Sequence, residues 1–90
     1  MLNNLKEVKV VFNLFELKMQ LQQTVGHEVS WAEISRESGV NQNTLTGLLH
    51  NKARRVDIET LEKLIGYFNA HGLDITHANL FQTVESKHEA

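Results

Sequence analysis

Apolar residues recur along the chain first at strand spacing and then at helix spacing. "VKVVF", residues 8–12, is rich in Val and predicts a short strand. Leu14, Leu17 and Leu21 then stand on one helical face, which predicts a first helix over about 14–24. Asn13 is its candidate N-cap, with Glu16 three residues on, and Gly26 ends it. Ser30 and Glu33 have the S-x-x-E spacing of a capping box. Trp31, Ile34 and Val40 supply the apolar side of a second, shorter helix at about 31–37. Gly39 marks a backbone position suited to positive φ. Asn41 caps a third helix, whose Leu45, Leu48 and Leu49 at i, i+3 and i+4 turn one face to a core. Asn51 is expected to end it in a left-handed conformation. Asp57 caps a fourth helix carrying Ile58, Leu61, Leu64, Ile65 and Phe68, which ends before Gly72. Thr76 caps a short fifth helix through Leu80. The segment 80–85, "LFQTVE", is a candidate to pair with residues 8–12 as a small terminal β-ribbon. The expectation is an all-α, compact five-helix fold in a single domain over 1–90, with 82–90 as a tail or short strand.

The link between the second and third helices is too short to let them lie antiparallel, so they must cross steeply. That is a helix-turn-helix, here at about 31–50, in which the second member projects from the body of the domain. Its packing needs are met in order: small Ser35 where the helices approach, Gly39 in the turn, and aliphatic Leu45 as the anchor of the projecting helix.

That projecting helix has an odd composition. "GVNQNTLTGLL" is full of amides, hydroxyls and Gly, most of them mediocre helix formers, and Gly costs about 1 kcal/mol relative to Ala. Residues 42, 43, 46, 47 and 50 face away from the Leu side and read Gln, Asn, Thr, Gly and His. Isolated amides are usually ordinary solvated surface. On a projecting helix they gain a meaning: Gln and Asn can bond adenine N6 and N7 in the major groove, and Thr offers a hydroxyl or methyl contact. An acid there would repel phosphate, and the chain has none from Ser38 to Val56.

Charge sharpens the point. Nine Lys and Arg oppose eleven Asp and Glu, a formal charge of -2, which by itself argues weakly against a nucleic-acid partner. The distribution is uneven. Lys52, Arg54 and Arg55 lie in the acid-free stretch, whereas Glu16, Glu28, Glu33 and Glu37 precede it and Glu59 and Glu62 follow it. Three nearby cations are usually a solvated loop, but beside the projecting helix they are placed to meet phosphates, which supply affinity and register without reading sequence. Trp31 opens the second helix, whose N-terminus would point at the backbone. It is either core or a half-exposed contact at the groove edge.

The segment "SWAEISRESGVNQNTLTGLLHNKARRVDIETLEKLIGYF" resembles the lambda-repressor-like (Cro/Xre-type) helix-turn-helix family, over about residues 12–81. The resemblance implies a compact five-helix domain that binds operator DNA, usually as a dimer, with its third helix in the major groove. By position it implies that Gln42, Asn43 and Thr46 read bases, that Thr44 and His50 lie at or near the DNA backbone, and that Lys52 follows them. Three positions depart from the family pattern. Ser35 stands for a usual Ala, Asn51 for a common Gly, and Gly47 where a longer polar or basic side chain often reaches bases.

Other classes fit poorly. The chain has no Cys, and its five His are scattered without ligand spacing, so no metal or other cofactor is expected. No catalytic constellation can be assembled, so no enzyme is expected. No apolar run approaches the roughly 20 residues of a membrane span, and no signal peptide is visible at the N-terminus. A cytoplasmic protein is the simplest expectation. The expected function is a sequence-specific transcriptional regulator, a repressor by its family, that binds double-stranded DNA as a homodimer. The alternative is a protein-interaction module on the same fold, such as an antitoxin-like partner.

Overall fold

The computed structural model describes residues 7–85. The elements run β1 (Val8–Phe12), α1 (Leu14–Val25), α2 (Trp31–Ser38), α3 (Gln42–Leu49), α4 (Ile58–Ala70), a 3-10 helix (His77–Leu80) and β2 (Phe81–Glu85). The fold is therefore not all-α. Four α-helices and one 3-10 turn are joined by an antiparallel ribbon in which Val8 faces Glu85 and Phe12 faces Phe81. The ribbon forms because the segment Val8–Phe12 is mostly β-branched, and because the Phe12 and Phe81 rings meet at 4.7 Å between centroids. The last residues of the expected 82–90 tail, 86–90, lie outside the described residues.

The core draws on every helix: Leu14, Leu17 and Leu21 of α1, Ile34 of α2, Leu45 and Leu48 of α3, Leu64, Tyr67 and Phe68 of α4, and Leu80 of the 3-10 turn. Val29, Val40 and Ile75 close it from the connections. Two assignments on α4 change. Ile58 is 71% exposed, because it sits at the first turn where the chain has only just reached the body. Tyr67, absent from the expected stripe, is buried, its ring against Phe68 and His71. Burial, with Glu37 and Glu33 nearby, pushes its hydroxyl pKa up.

Local caps set the helix ends. Ser30 Oγ accepts the Glu33 amide at 3.1 Å. Asn41 Oδ1 accepts the Asn43 amide at 2.7 Å and Asp57 Oδ1 the Thr60 amide at 2.9 Å. Hydrogen bonds from Thr60 hold the Asp57 carboxyl below its usual pKa. This cap is fully effective above the unfolded carboxylate pKa and is lost as pH falls through the lowered folded value. Thr76 and Asn79 form a reciprocal capping box. Asn13 does not cap α1. Its side chain instead turns to the carbonyl of Asn79, while its own amide continues the ribbon by donating to the Leu80 carbonyl at 2.7 Å.

Gly66 lies on the exposed side of α4, and a Cβ built there meets nothing within 4 Å. Gly66→Ala should stabilise the domain by up to about 1 kcal/mol through helix propensity alone. A urea midpoint that fails to rise would show that this side of α4 is not free.

Candidate nucleic-acid interface

The α2–α3 turn is closed by three short bonds. The Gly39 amide donates to the Ser35 carbonyl at 3.0 Å, with Gly39 at φ 84°, a left-handed geometry that a Cβ would strain. The Ser35 hydroxyl donates to the Val40 carbonyl at 2.6 Å, and the Val40 amide donates to the Ser38 hydroxyl at 3.1 Å. Ser35 is thus more than a small residue: its hydroxyl fastens the turn, a bond that Ala could not make. Ile34, Leu45 and Leu48 then hold α2 and α3 to the same core.

This anchoring leaves the other side of α3 outward. Gln42, Asn43, Thr44, Thr46 and His50 are all exposed. No acidic residue lies in the first turn of α3. Two positions differ from the expected faces. Leu49 is only half-buried, at the border of the core. Gly47 is also half-buried rather than part of the outer face, because the following loop folds back over it. Its carbonyl accepts from the amides of Lys52 and Ala53, at 2.8 and 3.2 Å, and a Cβ on Gly47 would lie 3.9 Å from the Ala53 methyl.

The loop after α3 begins at Asn51, the non-glycine residue with positive φ among those described, at 58°. Its side chain does a second job that Gly could not. Asn51 Oδ1 accepts the Phe12 amide of β1 at 2.7 Å, so the end of α3 is tied to the ribbon. Lys52, Arg54 and Arg55 follow, all exposed. The ion pairs among the described residues, Glu59–Lys63 and Glu37–His71, leave these three cations uncommitted.

Trp31 is half-buried, and folding brings a cation to it: Lys18 Nζ lies 5.4 Å from the ring centroid. The same ammonium donates to Gln22 Oε1 at 3.1 Å, and that oxygen accepts the Val29 amide at 2.9 Å. The end of α1 is thereby fastened to the start of α2. Trp31 thus serves partly as packing and partly as exposed surface. Sequence spacing had not singled out Lys18, because 13 positions separate it from Trp31.

Among the described residues no group of three or more His, Cys, Asp or Glu could hold a metal ion. No helix among them is long and apolar enough to cross a membrane. Residues 25–77 match the family model of the Cro/C1-type helix-turn-helix DNA-binding domain. The match covers α2, α3 and α4 and leaves the ribbon strands and nearly all of α1 outside it. No curated protein and no solved structure gives a match.

Proposed function

Because the chain belongs to the Cro/C1-type helix-turn-helix DNA-binding family, we propose that it is a sequence-specific transcriptional regulator that acts as a repressor by occupying its operator. One observation carries this reading: the outward face of α3 bears amides and hydroxyls without a carboxylate, directly beside three cations of the following loop. In it Gln42, Asn43 and Thr46 meet base edges in the major groove. Thr44, His50, Lys52, Arg54 and Arg55 meet phosphates, and Trp31 borders the groove at the start of α2.

One α3 reads only a few base pairs, so we propose a homodimer on half-sites one DNA turn apart. Val84 pairs with Lys9 across the ribbon and so lies on the opposite face from Val8 and Val10, which are the exposed apolar residues suited to that contact. Leu80 and Phe81 are not, since Leu80 has no exposed surface and Phe81 packs on Phe12. The alternative of a protein-binding module draws on Phe15 and Met19, exposed four residues apart on α1.

Selection from a random duplex library, followed by gel shift and sedimentation, tests both parts. The expected result is a palindromic site bound by two copies and preferred over random duplex. Enrichment of no site would move the reading to the protein-binding alternative. A monomer both free and on the selected site would end the dimer.

A further inference from the structure

We infer that the ribbon is part of the DNA interface and that Lys9 of β1 holds a phosphate there. The inference rests on the DNA-binding reading and extends it to an element outside the family match.

The Asn51–Phe12 hydrogen bond sets the outer edge of β1 beside the end of α3. Between strand and loop runs a groove lined by Val8, Lys9, Val10 and Val11 on one side and by Asn51, Lys52, Ala53 and Arg54 on the other. Its charged lining residues are Lys9, Lys52 and Arg54, with no carboxylate. None of these cations is paired with a carboxylate among the described residues. Three like charges converge on one groove from two elements some forty positions apart in the chain, so a polyanion is the complementary occupant. The groove begins where α3 ends. A duplex seated on the outer face of α3 would bring its phosphate backbone to this groove, where Lys9 stands with Lys52 and Arg54. A neutral peptide strand added to the same edge would leave all three charges facing each other without compensation.

The test measures affinity against salt for the wild type, Lys9→Gln, Lys9→Arg and Lys63→Gln, on a selected and a random duplex. Melting curves first establish that the variants fold. Lys9→Gln should weaken binding to both duplexes, with the slope of log K against log salt shallower by about 0.9. The wild-type advantage then shrinks about 3–4-fold between 50 and 200 mM salt. Lys9→Arg should restore the slope. Lys63→Gln, which changes net charge equally on α4 outside the groove, should leave it alone. Wild-type slope in Lys9→Gln, or an equal change in Lys63→Gln, overturns the assignment of Lys9 while the DNA reading stands. A wild type that binds no duplex overturns the DNA reading and this inference with it.

Discussion

Leu45→Ala should cost about 2–5 kcal/mol, a large part of the roughly 5–13 kcal/mol that a domain of this size has in total. Leu45 is 1% exposed and fastens α3 to a core shared with Ile34 of α2 and the leucines of α1. Truncating it removes the apolar contacts and leaves a cavity that three helices would have to close together. No disulfide offsets the loss, since the chain has no Cys. The expected observation is a urea midpoint far below that of the wild type. A second substitution guards the interpretation. Gly39→Val places a β-branched side chain at φ 84°, where it is strained whatever space surrounds it. If both variants melt with the wild type, the α2–α3 turn is not where the fold is decided. Loss of DNA binding in either variant would report unfolding, not reading.

What was legible in the sequence is what acts within a few residues. Ser30, Asn41, Asp57 and Thr76 cap the helices they precede, because a side-chain oxygen need reach only two or three residues ahead. Gly39 and Asn51 take the left-handed backbone that their residue types favour. Asn13 has the same chemistry as Asn41 and fails as a cap because a distant partner, the 3-10 turn, competes for it. Tyr67 was missed and Ile58 misplaced for a related reason. Periodicity finds the axis of the apolar stripe, but tertiary packing sets its width and its ends.

The site divides in the same way. The polar face of α3 could be read from one segment, and the cations after it from the next. That Gly47 lies under Ala53, that Asn51 pins β1, and that Lys9 lines the groove beside Lys52 depend on residues folding together from separate parts of the chain. A cation at position 9 carries no signal by itself. Its meaning comes from the Asn51–Phe12 bond, which no pattern of spacing contains.

The comparison that bears most on function separates reading from holding. Gln42→Ala and Asn43→Ala should each cost about 1–3 kcal/mol on the selected site and less on random duplex, with little change in salt dependence. Both residues are exposed, so their side chains can be removed without opening the core. The Asn43 backbone amide that bonds Asn41 is kept in the variant, so the α3 cap survives. Lys52→Ala, Arg54→Ala and Arg55→Ala should behave otherwise. They weaken binding on every sequence, and each flattens the salt slope by about 0.9, because a released counterion is lost with each phosphate contact. The quantity that decides is the ratio of selected to random affinity. It should fall in the amide variants, by as much as about 5- to 150-fold where binding to random duplex is unchanged (the equivalent of 1–3 kcal/mol), and stay near the wild-type value in the cation variants. Circular dichroism must match the wild type in both groups. Should the amide variants keep the wild-type ratio, α3 would be surface without a reading role, and the exposed Phe15 and Met19 face of α1 would become the better place to look for a partner.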